Sequence, residues 1–417
     1  VRSIYAILIA MALIFTALPS HARVYIDISS PQTTLPIAVQ EFAGPSGAEI
    51  TDIVTDDLNF TGLFYCLNRA AFIENASQPF SPGNWTIIGA EAVVKGHTEK
   101  TGKEIKATVS LYDVSEGREI MRKQYSSEES LIRPLAHTIS GDIYKQITGS
   151  EAVFKTKIAF IGEKDGRKTI YISDWDGQRT KAPGIDAPLL LSPHWSADGG
   201  RLVYSSERKR QWGIYILDFS SMSEKLIFSG GGTNIAGDFS PDGRAFVFSS
   251  SKEGSQDLYI YDISSQKTRR LTSSRGIDVS PAVSPDGGRI AFVSDRGGSP
   301  QIYIMDKNGY NIERITFGSS YNTSPVWSPD GKRLAFVRRE EGKNQIFTIS
   351  PDGSGVMKLT EKGNNEDPSF SPDGRYIAFT SDREGPKGIY IMRANGEGQK
   401  RITPKGIRAS GPRWSPN

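Results

Sequence analysis

The pentapeptide Trp327-Ser328-Pro329-Asp330-Gly331 decides how this chain is read, because it recurs. Its versions are Trp195-Ser196-Ala197-Asp198-Gly199, Phe239-Ser240-Pro241-Asp242-Gly243, Val283-Ser284-Pro285-Asp286-Gly287 and Phe370-Ser371-Pro372-Asp373-Gly374, with a shortened copy at Trp414-Ser415-Pro416-Asn417. The leading apolar residues, at 195, 239, 283, 327, 370 and 414, stand 43 or 44 positions apart. Ser-Pro-Asp-Gly suits a type I turn: Pro presets φ at the second position, Asp fits the third, and Gly relaxes the fourth.

Working outward from the turn, each repeat carries three further anchors. An apolar trio follows it: Ile158-Ala159-Phe160, Leu202-Val203-Tyr204, Phe246-Val247-Phe248, Ile290-Ala291-Phe292, Leu334-Ala335-Phe336 and Ile377-Ala378-Phe379. Next comes an alternating strand centred on Tyr171, Tyr215, Tyr259, Tyr303, Phe347 or Tyr390. Last is a basic-apolar-Thr signal at Arg270-Leu271-Thr272, Arg314-Ile315-Thr316, Lys358-Leu359-Thr360 and Arg401-Ile402-Thr403. Four short strands per repeat, with no helical period, predict β-propeller blades rather than a solenoid. The unit beginning near Lys157 has no turn-bearing strand before it, while Gly411 to Trp414 is an unmatched copy. The expectation is a six-bladed ring over residues 153–417, closed when this last segment becomes the inner strand of the first blade.

Residues 23–152 lack the repeat and read as a small α/β domain. Leu35 to Phe42 looks like a strand, and Ser46 to Phe64 like a helix with Ile50, Ile53, Val54 and Leu58 on one face and Ser46 as cap. Ala90–Thr98, Glu104–Asp113 and Glu119–Ser126 read as strands of an antiparallel sheet, and Glu128 to Ile147 as a second helix. Residues 1–22 read as a secretory signal: Arg2, an apolar run from Ile4 to Leu18, then Ser20-His21-Ala22 as small-x-small. A membrane anchor is the alternative, but the run falls short of the roughly 20 residues a span needs.

Composition narrows the chemistry. The 417 residues carry a formal charge of only +3, spread evenly, which argues against a nucleic-acid groove. One Cys and four His exclude a Cys-ligated zinc site and an internal disulfide. Cys66 reads as a small buried hydrophobe. No Gly-x-Ser-x-Gly elbow is present, and no segment is large enough for a hydrolase domain, so no catalytic residue is assigned. His97, His137 and His194 fall at no metal-ligand spacing, and neither cofactor nor metal is expected. The turn aspartates 198, 242, 286, 330 and 373 are accounted for by turn chemistry. Asp174-x-Asp176-Gly177 lacks the later ligands of a calcium loop and reads as a hairpin turn.

Binding is the remaining role. Just before the inner strands lie variable segments at Asp186–Pro188, Thr233–Ala236, Ile277–Val279, Tyr321–Thr323, Asn364–Asp367 and Arg408–Ser410. All must emerge at one mouth of the ring, where converging loops on a rigid scaffold bind partners. Arg23 to Ile28 alternates apolar and polar residues, as expected of a strand that adds to a partner's sheet, or of a fixed edge strand of its own domain.

Leader, small α/β domain and six blades, together with the start Arg-Val-Tyr-Ile-Asp-Ile, then Leu-Pro-Ile-Ala-Val, and the terminal Trp-Ser-Pro, resemble the TolB family of the Tol–Pal system over the whole sequence. The resemblance implies a non-catalytic periplasmic scaffold that is monomeric, binds no nucleic acid and is peripheral to the outer membrane. It implies that the lipoprotein Pal is bound at the propeller mouth through Thr233, Asn234, Asp278, Val279, Ser280, Asn322, Thr323, Glu366 and Asp367. It also implies that TolA is bound through Arg23, Val24, Tyr25, Ile26, Asp27 and Ile28, within a segment spanning 23–30. Outer-membrane integrity and constriction at division would be the outcome. The alternative is a secreted propeller that binds a small peptide or glycan, with or without hydrolase activity.

Overall fold

A computed structural model describes residues 34–417 apart from Asp165. The expected leader and the Arg23–Ile28 strand lie outside the described residues. The chain divides into two compact units, one running to Ile139 and including Gln146–Gly149, the other comprising Ser140–Lys145 and Ser150–Asn417. Among the described residues no helix is long and apolar enough to cross a membrane.

The first unit is built on β1 (Leu35–Val39), α1 (Gly47–Thr61), β2 (Phe64–Cys66), α2 (Pro82–Thr86), β3 (Ala92–Thr101), β4 (Glu104–Asp113), β5 (Arg118–Glu128) and α3 (Ile132–Thr148). The sheet order is β2-β1-β3-β4-β5. The antiparallel expectation holds for β3, β4 and β5 only, since β1 runs parallel to both β2 and β3. Parallel neighbours need a long crossover, and α1 and the stretch 67–91 supply the two required here. Ser46 does occupy the position before α1, but with φ 60° and no side-chain cap. Thr51 ties that corner instead: its Oγ1 accepts from Phe42 N at 2.9 Å and donates to Gly47 O at 2.7 Å. Gly47 is obligatory there, because a Cβ would lie 1.9 Å from the Phe42 carbonyl oxygen.

The stretch 67–91 is pinned by a buried ion pair. Lys95 Nζ lies 2.9 Å from Glu74 Oε2 and donates to Gln78 O at 2.6 Å, while Glu74 also accepts from Ser81 N at 2.7 Å. Burial alone would raise the Glu74 carboxyl, but these hydrogen bonds hold it below its usual range.

The second unit is a propeller of six four-stranded blades. The inner strand of the first blade is Arg408–Trp414, which pairs antiparallel with Lys157–Lys164, so the chain end closes the ring as expected. The next five inner strands are Leu189–Trp195, Asn234–Phe239, Asp278–Val283, Asn322–Trp327 and Asn365–Phe370. Apolar layers fill the gaps between blades; Trp327, for example, packs with Ala291, Ile302 and Ile304 of the fourth blade. Each turn bonds as its sequence implies, with Gly243 N donating to Ser240 O at 2.8 Å and Gly331 N to Ser328 O at 2.9 Å. The repeated Thr also has a physical task. Thr316 Oγ1 accepts from Ile302 N at 2.9 Å and donates to Gln301 Oε1 at 2.8 Å, locking the outer strand to its neighbour, and Thr360 repeats this with Ile346 and Gln345.

Candidate functional site: the loop mouth and channel of the propeller

Every inner strand carries a register shift near its middle, next to a proline in five of the six and to Gly237 in the third blade. The residue before the proline is left-handed at Ser192, Ser280, Ser324 and Asp367, with φ between 51° and 53°. Such bulges bend the strand and free backbone amides. Neighbouring blades satisfy them: Val283 N donates to Asp238 Oδ2 at 3.1 Å, and Trp414 N to Ser369 Oγ at 3.0 Å. The strands enclose an axial cavity of about 490 Å³.

At the loop mouth, the first residues of four inner strands form buried clasps. Asn234 donates to Gly230 O at 2.9 Å and accepts from Ser250 Oγ at 2.5 Å. Asp278 accepts from Arg296 Nη2 at 3.0 and 3.1 Å and from Ser274 Oγ at 3.2 Å. Asn322 donates to Gln301 Oε1 at 2.8 Å and accepts from Arg338 Nε at 2.9 Å. Asn365 bonds to Gln345 and Arg383 in the same way. The arginines lie over blade aromatics, with Arg296 5.3 Å from the Tyr303 ring and Arg338 4.9 Å from that of Phe347. Each clasp fixes the loop that leads into its strand.

This sorts the residues assigned from the resemblance. Asn234, Asp278 and Asn322 are fully buried, and their polar atoms are committed within the blade. Their hydrogen bonds hold the mouth loops in place. Thr233, Val279, Thr323, Glu366 and Asp367 are half-buried and Ser280 is exposed. Glu366 is bound by Lys387 and by Asn344 Nδ2 at 2.9 Å. The segment at Asp186–Pro188 also differs from expectation: Asp186 and Ala187 form the outer strand of the first blade, pairing with Thr169 and Lys168.

Two exposed apolar side chains stand at this mouth: Ile277, which opens one of the segments expected from sequence, and Phe317, which sequence reasoning passed over. Ile277 is 51% exposed and Phe317 is 62% exposed, with Arg314 4.7 Å from the Phe317 ring. Tyr321 lies under Arg339 at 4.2 Å. The available signal was an apolar or aromatic residue inside a Gly/Ser-rich loop.

It also missed a charged cluster in the channel. His194, Asp238 and Arg413 occupy one register position, immediately before the residue that leads each turn, on three neighbouring inner strands. His194 Nδ1 is 2.6 Å from Asp238 Oδ1. Burial first, and then the Arg413 charge, lower the His194 pKa against the pull of Asp238. Burial raises Asp367, opposed by the same Arg413. Among the described residues the other two histidines are separate: His137 sits 2.8 Å from Asp57 inside the first unit, and His97 is exposed beside Glu99.

The remaining candidates are structural. Turn aspartates accept from the Ser hydroxyl of the same turn, at 2.6 Å for Asp242 and for Asp330. These bonds, with backbone amides, hold the Asp242 carboxyl below its usual range. Asp174 closes a hairpin through Gly177 N at 2.9 Å. Cys66 is half-buried, and burial pushes its thiol up to about 12.

Comparison with known proteins agrees with this geometry. Residues 144–417 match the family described as the TolB beta propeller domain, and residues 24–120 match the TolB amino-terminal domain. Tol-Pal system protein TolB of Desulfosudis oleivorans is 36% identical over 225 residues, covering 50% of this chain and 51% of that protein. Its counterpart from Dechloromonas aromatica is 34% identical over 234 residues, covering 55% and 54%. The matched region thus spans about half the length of these curated relatives. The crystal structure of TolB from Acinetobacter baumannii superposes with a TM-score of 0.85 at 29% identity, covering 93% of this chain and 98% of that one. A nidogen/laminin complex, at 12% identity and a TM-score of 0.52, shares the fold alone. With both halves matched in order, the chain belongs to the TolB family of Tol–Pal system proteins.

Proposed function

We propose that this protein is a non-catalytic periplasmic scaffold of the Tol–Pal system that binds Pal at the loop mouth of its propeller and TolA through Arg23–Ile28. The observation that carries this reading is the mouth itself. Buried clasps hold loops that present Ile277 and Phe317 on a rigid ring, beside inner strands that carry Thr323 and Ser280. Exposed apolar side chains rimmed by polar groups are the usual makeup of a protein-binding face. A monomer working in this way is peripheral to the outer membrane, held there by Pal, and supports envelope integrity and constriction at division. Arg23–Ile28 serves TolA by strand addition, where backbone hydrogen bonds give affinity and alternate side chains give selectivity.

Binding of purified Pal and TolA to the chain from residue 23 onward, with and without Arg23–Ser29, tests both assignments. The deletion is expected to abolish TolA binding and leave Pal binding intact. Undiminished TolA binding would overturn the N-terminal assignment. Failure of Pal to bind either protein, together with saturable glycan binding, would favour a glycan-binding propeller instead.

A further inference from the structure

The junction between the third and fourth blades differs from its neighbours. The inner strands of the other five blades end in an aromatic residue, Trp195, Phe239, Trp327, Phe370 or Trp414, which faces the preceding blade. Trp327 donates its indole N–H to Ala282 O at 3.1 Å, and Trp195 donates to Arg413 O at 3.0 Å. In the fourth blade the residue is Val283, which cannot fill that space or make that bond.

The partner across the gap is shortened too. Arg201 lies 5.6 Å from the Phe239 ring, and Arg289 lies 4.7 Å from the Trp327 ring. The third blade has Ala245 at the position of these arginines. Both halves of a cation–aromatic pair are therefore missing from one interface. The space remains open as a cleft of about 420 Å³, with Ala245, Phe246, Val247, Ile260, Val283 and Ile290 among its walls. That volume lies within the roughly 300–1,000 Å³ of small-ligand sites.

We propose that this cleft receives an aromatic side chain, with a basic residue beside it, from an extended segment of a protein partner. The chain itself specifies the occupant, because two other junctions hold that pair internally. The rim carries groups of both signs, so the basic residue of the occupant is read from the Arg201–Phe239 and Arg289–Trp327 pairs. Asp242, Asp262 and Asp286 border the cleft, and their hydrogen bonds hold all three carboxyls below the usual range, so they stay ionised. Of the bordering cations, Arg269 is spent on the Asn308 and Lys307 carbonyls, while Arg244 and Lys307 are exposed like Asp242 and Asp286. The cleft opens at the Ser-Pro-Asp-Gly end of the blades, opposite the loop mouth, so the inference stands independently of Pal binding there.

Methyl NMR on the whole protein tests it, with blocked Trp-Arg, blocked Trp-Glu and free indole as probes. Blocked Trp-Arg is expected to give saturable shifts centred on Val283, Val247 and Ile290, and to bind at least threefold tighter than Trp-Glu or indole. Val283→Trp should abolish these shifts, and Ala245→Arg should weaken binding at least tenfold; the second variant decides the matter if the first misfolds. No saturable shift in the native protein, or unchanged shifts in Ala245→Arg, would overturn the site. Equal binding of Trp-Glu would overturn the basic character of the partner, and equal binding of indole would overturn the peptide segment.

Discussion

Lys157 and Ser415 hold each other across 258 positions of sequence: Lys157 N donates to Ser415 Oγ at 2.9 Å, and Ser415 N donates to Lys157 O at 2.8 Å. Beside them the Trp414 indole donates to Thr156 Oγ1 at 2.7 Å. These bonds latch the ring shut. Removing Arg408–Asn417 exposes both the edge of Lys157–Lys164 and the apolar layers it covers. Calorimetry should then show a broadened, non-cooperative unfolding transition. Trp414→Ala, which empties a buried site, should cost about 3–5 kcal/mol. A truncated protein that melts like the intact one would mean that the ring closes without this strand.

The clasp residues and their half-buried strand neighbours should respond differently to mutation. Asn322→Ala leaves Arg338 Nε without its acceptor, and Asp278→Ala leaves Arg296 Nη2 without its carboxylate, so each should lower stability by about 1–3 kcal/mol in denaturant melts. Thr323→Ala and Val279→Ala should stay within about 0.5 kcal/mol. Equal effects at the clasp residues and at these neighbours would contradict the structural role given to the clasps.

Much of this was legible in the sequence because the repeat exposes it. Trp327 and its relatives give the blade period, and Gly411–Trp414 gives the closure, since strand spacing and turn chemistry are local. The parallel direction of β1 was not legible: it depends on where the connection through Pro82–Thr86 returns, and no local pattern encodes that. Nor was the burial of Asn234, Asp278 and Asn322. A polar residue opening a strand looks the same whether it meets solvent or a hidden arginine. The channel cluster is spread over His194, Asp238 and Arg413, far apart in sequence, and only the ring brings them to one level.

His194 should make folding stability depend on pH. Burial and Arg413 hold its folded pKa below the ordinary 6.5, so at pH values just under 6.5 the unfolded chain binds a proton that the folded chain refuses. Stability from this residue is thus present at neutral pH and lost as pH falls through 6.5 toward the folded value. Asp238 is held below the usual carboxylate value, where burial is outweighed by the His194 hydrogen bond and charge, while burial raises Asp367 above it. Chemical denaturation at stepped pH should show a slope near 6.5 that His194→Gln flattens. An identical slope in the variant would assign the dependence to other groups.

In the first unit, Lys95→Met leaves Glu74 buried without its cation. Breaking a buried pair on one side typically costs about 3–5 kcal/mol. Hydrogen exchange should localise the loosening to the stretch 67–91, which the pair pins. Loosening confined to β4 and β5 instead would show that the pair does not hold that connection.

The most direct test of the account is calorimetric titration of soluble Pal into the native protein and into Ile277→Asp and Phe317→Asp variants. Both side chains are exposed at the loop mouth and lie outside the blade cores. The account predicts binding to the native protein and at least tenfold weaker binding in each variant, a loss of about 1.4 kcal/mol, with melting temperatures unchanged. Native affinity in both variants, or no binding of Pal to the native protein, would contradict it.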